Sequence, residues 1–89
     1  MSHIYMVSYD LNSPTRNREQ VEKSIKSEST WCRYLTTTFL IRSNKTIDEL
    51  QSKFTQHLDS NDRMIICCVE KPIKGYLSQE NWNWIKSNL

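Results

Sequence analysis

Six apolar residues in succession, Met64-Ile65-Ile66-Cys67-Cys68-Val69, set the hardest constraint on how this chain can fold. The run is far shorter than the ~20 apolar residues a membrane-spanning helix needs, and its β-branched content favours a strand. Successive side chains of a strand point to opposite faces, so apolar residues at every position ask for cover on both sides of a sheet. In a chain of 89 residues that demand is severe, because a small domain buries a smaller fraction of its surface than a large one.

The rest of the chain supplies the other layers. Residues 4–9, Ile-Tyr-Met-Val-Ser-Tyr, read as a first strand with Ile4 and Met6 on one side and Tyr5, Val7 and Tyr9 on the other. It stops at Asp10-Leu11-Asn12-Ser13-Pro14, where Ser13 suits a helix cap and Pro14 the first helical position. The helix over 14–27 carries a thin apolar stripe, mainly Val21 and Ile25. Residues 31–42 are rich in aromatic and β-branched types but long for one strand, so two strands are expected, broken near Thr36 and Thr37. Thr46 and Glu49 form a capping box ahead of Ile47, Leu50, Phe54 and Leu58, which share one helical face over 46–58. The acidic turn 59–62 leads into the apolar run, and 71–75 is a loop. Ser78 then caps a tail helix holding Trp82, Trp84, Ile85 and Leu89.

The order strand, helix, strand, strand, helix, strand predicts an α+β fold on the ferredoxin-like β-α-β-β-α-β plan. It is a single domain over 1–89 with its core in 1–70 and a tail helix in 71–89. Right-handed crossovers place both main helices on one face of the antiparallel sheet. The other face then needs cover from a second copy of the chain, from the Trp-bearing tail, or from a stacked nucleic-acid base. The expectation is a homodimer, with Trp31, Trp82 and Trp84 at a dimer or partner interface. The chain runs from Met1-Ser2-His3 straight into a strand pattern with no apolar leader, so a soluble cytoplasmic protein is expected. Cys32, Cys67 and Cys68 lack zinc spacing, and neighbours in a strand are poor disulfide partners; all three read as small buried hydrophobes. Twelve basic against ten acidic side chains do not decide a partner. There is no glycine-rich phosphate loop and no nucleophile elbow, and His3 and His57 lack partners at metal or triad spacing.

Tyr5-Met6-Val7-Ser8-Tyr9-Asp10 resembles the opening strand of the small CRISPR-associated adaptation nuclease, the second Cas protein of the core pair, which ends in Tyr-Asp. Residues 30–41, from Thr30-Trp31-Cys32 to Phe39-Leu40-Ile41, are similar to that family's central aromatic segment. The likeness continues through the capped helix and the acidic turn before Met64, and covers residues 4–69. The wider superfamily includes the VapD-like ribonucleases and small relatives from bacteria and mobile elements. The tail departs from the pattern: where the family often ends in a strand that crosses to the dimer mate, this tail reads as a helix. The resemblance implies a dimeric, nucleic-acid-associated protein and a metal-dependent endoribonuclease using Mg²⁺ or Mn²⁺. Asp10 then stands at the position of the metal-binding, catalytic carboxylate.

Read locally, Asp10 sits at a strand end before a helix N-terminus lined by Asn12, Ser13 and Thr15, where exposed amides attract phosphate and Arg16 and Arg18 add positive charge. A turn-stabilising role suits it equally. Mg²⁺ takes one or two carboxylates with waters and phosphate oxygens, so a two-fold axis would supply the second Asp. The expected nucleic-acid contacts, RNA or DNA, are Tyr9, Asn12, Ser13, Arg16, Arg18, Arg33 and Arg42. Arg33, Tyr34 and Arg42, near Trp31, would make a stacking platform if their sheet face were open. If instead the aromatics pack inside, Trp31 and Phe39 are core. The alternative function is a non-catalytic module that grips a protein through the sheet face or tail, as a defence, toxin–antitoxin or phage-related component.

Overall fold

Among the described residues seven elements follow one another: β1 (His3–Asp10), α1 (Pro14–Lys26), β2 (Thr30–Leu35), β3 (Thr38–Ser43), α2 (Ile47–Thr55), β4 (Arg63–Val69) and α3 (Gln79–Asn88). The structure, a computed structural model, describes residues 2–12 and 14–89, with the side chains of 14–17 outside that description. The strands form one antiparallel sheet in the order β2-β3-β1-β4. Each of the first two helices joins parallel strands that flank a third, as the expected element order requires. The long aromatic segment does break at Thr36 and Thr37, and the capping box is present: Glu49 N–H donates to Thr46 Oγ1 while Thr46 N–H donates to Glu49 Oε1. Helix α2 ends at Thr55, short of the expected 58, because the N–H groups of His57 and Leu58 turn back to carbonyls three residues earlier.

Alternation sorts the sheet into two cores. On one face Tyr5, Val7, Tyr9, Phe39 and Ile41 meet Val21 and Ile25 of α1 and Leu50 and Phe54 of α2. On the other, Cys32, Leu40 and Ile85 are buried, and Met6, Tyr34, Val69, Ile73, Leu77, Trp82 and Trp84 pack around them. The second face is therefore covered by the chain's own tail. Trp84 Nε1 donates to Thr30 Oγ1 at 3.0 Å and Asn81 Nδ2 to Cys32 Sγ at 2.9 Å, fixing α3 over β2. Ser78 caps that helix, accepting from Asn81 N–H. The need for cover no longer argues for a second copy, because Trp82 and Trp84 pack, half-buried, against their own sheet.

The apolar run does not lie where its composition placed it. Strand β4 is a sheet edge, and none of its residues is fully buried; Ile65 is 61% exposed. The crossover through α2 carries the chain past β1 to the outside, and α1 and α2 reach only Met64 and Ile66. The strand that is buried on both faces is β3, where Thr38 to Ile41 are all inside. The cysteines divide accordingly: all are free, Cys32 is buried, Cys67 half-buried and Cys68 exposed, so the expectation of three buried thiols is corrected. Among the described residues no helix is long and apolar enough to cross a membrane.

Phe54 is fully buried between α2 and the sheet. Phe54→Ala is expected to cost about 3–5 kcal/mol and to lower Tm by more than about 10 °C in a thermal melt. A shift of a degree or two would contradict this packing.

Candidate functional site

Asp10 ends β1, exposed, directly across from Arg63 of β4. Its neighbours show why it is free. Leu11 turns into the core, and the corner is tied together by a different acid. Asp62 is 7% exposed and accepts Asn12 N–H at 2.7 Å through Oδ1 and Asp59 N–H at 2.8 Å through Oδ2. It thereby pins the loop after β1 to the loop before β4, the task a turn-stabilising Asp10 would have performed. Arg63 is held by its own loop, with Nη1 donating to the carbonyls of Ser60 and Asp62. Among the described residues the Asp10 carboxylate takes part in no hydrogen bond or ion pair, and it opens onto a shallow cleft of about 260 Å³ shared with Ser8, Arg63 and Ile65. No group of three or more His, Cys, Asp or Glu side chains gathers among the described residues. A cation at Asp10 would complete its shell with waters, phosphate oxygens or a carboxylate from another molecule. Ser13 and the Arg16 side chain, both expected here, lie outside the described residues.

Three of the expected nucleic-acid contacts are drawn together instead around Glu22, which the sequence did not single out. Tyr9 is buried and donates its hydroxyl to Glu22 Oε2 at 2.8 Å. Arg18 Nε meets the same oxygen at 2.8 Å, and Arg33 Nη2 lies 2.5 Å from Oε1. Lys26 stands 4.0 Å from Oε1. Burial alone would raise the Glu22 carboxyl, but hydrogen bonds from Arg18, Tyr9 and Arg33 outweigh it and bring it down to about 2. Burial and the bond to Glu22 push the Tyr9 phenol up to about 12. Among the described residues the Arg33 Nε has no hydrogen-bond partner, but the guanidinium lies 4.6 Å from the centre of the Phe39 ring, which offers it a π face. Trp31 meets Phe39 edge-on at 5.8 Å and carries the Lys26 ammonium over its own ring. The expected platform is thus split. Arg33 and Trp31 belong to the α1 face, whereas Tyr34 and Arg42 fall on the tail face, because adjacent strand residues point oppositely.

A second carboxylate repeats the pattern. Glu28, buried between the end of α1 and the sheet, holds the ammonium groups of Lys53 and Lys45, the latter at 3.3 Å. Here too burial opposes ionisation and hydrogen bonds from Lys53 and Ser43 overcome it, holding the carboxyl below its ordinary range. Five cations are consumed by these two acids.

The cations left over include three that share one place. Lys71, Lys74 and Lys86 line a groove of about 460 Å³ between the 71–74 segment and α3, with Ile73, Trp82 and Ile85 as its apolar walls. Among the described residues none of the three lysines forms a salt bridge. Of the expected contacts, Asn12 is exposed beside Asp10, and Arg42 is exposed on β3 near the tail. Comparison with protein-family models, with curated proteins and with solved structures finds no match to this chain.

The depressed Glu22 carboxyl makes stability depend on pH with a definite sign. Its folded value, about 2, lies below the ordinary 4.5. Its contribution is therefore complete above pH 4.5 and lost as pH falls toward 2. Glu22→Gln is expected to destabilise the protein at neutral pH by on the order of 1–3 kcal/mol and to flatten the loss of stability on acidification. Denaturant titrations across that range with an unchanged slope would contradict the cluster's role.

Proposed function

We propose that this protein is a nucleic-acid-associated module on the ferredoxin-like plan, akin to the adaptation-nuclease superfamily that residues 4–69 resemble. In this reading it is a metal-dependent endoribonuclease working through Asp10. The observation that carries the reading is the freedom of Asp10: a carboxylate exposed at a strand end, without a hydrogen bond or ion pair among the described residues, released from structural duty by Asp62 and in register with Arg63 across the strand pair. A Mg²⁺ or Mn²⁺ ion held there supplies the positive charge that activates water and stabilises the phosphate oxygens. Asp10 would hold the ion through its oxygens, and Arg63, exposed beside it, would add a cation to attract the phosphate. A homodimer would contribute a second Asp10, and the open β4 edge with its exposed Ile65 offers a copy of the chain somewhere to pair.

One observation favours a second reading. Ile47 and Ile65 are both exposed and line a hollow of about 320 Å³ between α2 and the β4 edge. An extended segment of another protein could add to that edge and seat a side chain in the hollow. The module would then bind without chemistry.

Asp10→Asn separates the two. It preserves size and, because the carboxylate makes no bond among the described residues, is expected to leave Tm within about 2 °C. Incubated with single-stranded RNA and Mn²⁺, wild type is expected to cut, and the variant to lose on the order of 100-fold or more in rate. Chelator should abolish the wild-type reaction. If wild type leaves RNA duplexes, single strands and DNA uncut, or the variant cuts equally well, the catalytic reading falls.

A further inference from the structure

We propose that the groove between the 71–74 segment and α3 binds single-stranded nucleic acid, at a site separate from the Asp10 corner. The pairing of the strands places it. Asp10 lies opposite Arg63 at one end of the β1–β4 pair, whereas Ile4 lies opposite Val69 at the other, where the chain leaves β4 for the lysine-bearing segment. Six steps along a strand separate the two ends by roughly 20 Å.

Charge gives the sign of the occupant. Three of the four other lysines find carboxylates: Lys26 reaches Glu22, and Lys45 and Lys53 share Glu28, while Lys23 stands alone on the exposed side of α1 among the described residues. Lys71, Lys74 and Lys86 converge on one groove with no carboxylate side chain among the described residues that line it. Leu89 adds a further apolar side chain to the lining. Three ammonium groups around a concave, partly apolar surface repel one another, and an anion placed among them relieves that repulsion.

The rings give the chemistry. Trp82 forms part of the groove wall, half-buried, beside Ile73 and Ile85. Tyr76, two residues beyond Lys74, stands completely exposed on a segment without regular structure, and next to it Gly75 leaves open space. A ring held fully in water two residues along the chain from Lys74 does nothing for the fold; stacked on a base, it would bury its face. Lysines interleaved with aromatic rings suit a strand whose phosphates follow the charges and whose bases lie on the rings. A duplex keeps its bases stacked on one another and offers no such face. The groove's volume lies within the range of about 300–1,000 Å³ common to ligand sites. An acidic peptide would satisfy the lysines but would leave Tyr76 without a flat partner. The inference rests on the nucleic-acid reading above only for the class of ligand, and it needs neither cleavage nor a second copy.

The test is fluorescence anisotropy with the full chain, labelled oligouridine and oligothymidine of about twelve nucleotides, about 50 mM salt and chelator present throughout. Wild type is expected to bind both oligonucleotides, and an oligoglutamate peptide is not expected to compete. Lys74→Ala/Lys86→Ala should weaken binding roughly tenfold or more and flatten its dependence on salt. Tyr76→Ala, whose ring touches nothing in the fold, should weaken it about fivefold or more without moving Tm. If the lysine variant, folded by circular dichroism, binds with unchanged affinity and salt dependence, or if wild type binds no oligonucleotide, the proposal is overturned. Displacement of the oligonucleotide by oligoglutamate at equal concentration would overturn it in favour of an acidic-peptide site. Lysine-dependent binding here, with no cleavage in the Mn²⁺ assay described above, leaves the groove standing and the Asp10 chemistry refuted; cleavage in that assay without lysine-dependent binding here does the reverse.

Discussion

A sheet with apolar side chains on both faces has to be covered twice, and this chain has 89 residues with which to do it. Two helices from the crossovers serve one face, and α3 with the 73–77 segment serves the other. Everything else is arranged around that division. It buries β3 almost completely, it leaves β4 at the edge, and it determines which of any two neighbouring strand residues meets α1 and which meets the tail. The tail is bound by Ile85 and the two Trp side chains and oriented by hydrogen bonds to Thr30 and Cys32. It is as much a part of the core as the crossover helices.

The same division governs the charges. The helical layer contains two carboxylates, Glu22 and Glu28, at sites where burial disfavours ionisation and clustered cations restore it. They absorb Arg18, Lys26, Arg33, Lys45 and Lys53 into structure. A charge in such a cluster is poorly available to a ligand, because withdrawing it would strand a carboxylate in a desolvated place. The cations left outside these clusters among the described residues are Lys23 on α1, Arg42, Arg63 and the three lysines beside the tail. A nearly balanced overall charge conceals this separation.

Local signals in the sequence are legible where one short stretch determines the outcome. The Thr46–Glu49 capping box, the Ser78 cap and the break at Thr36 and Thr37 each depend on a few adjacent residues. The β4 run misled because apolar composition reports a wish for cover and not a position in the sheet; the crossover that sends it to the edge is a property of the whole chain. Glu22 was missed for a related reason. Its partners Tyr9 and Arg33 come from β1 and β2 on either side of it in sequence, and only the Arg18–Glu22 spacing, one helical turn, hints at the cluster. At Asp10 the sequence left a turn role and a metal role open, and the identification of Asp62 as the acid that pins the corner required long-range hydrogen bonds. Lys71, Lys74 and Lys86 are separated by a loop and a helix, and become one feature only when α3 folds back.

The central claim, that the chain's own tail closes the second face of the sheet, is open to a direct measurement because a cysteine lies at each level of burial. Cys32 sits under α3 with its thiol pushed up by burial, Cys67 is half-covered, and Cys68 is exposed. Thiolate content and access together set the rate of alkylation. Site-resolved labelling of the native protein, read by mass spectrometry of peptides, is predicted to modify Cys68 first and Cys32 last. Trp84→Ala, which removes the anchor to Thr30, is predicted to speed Cys32 selectively. Labelling of native Cys32 as fast as Cys68, at protein concentrations low enough to dissociate any dimer, would contradict the account.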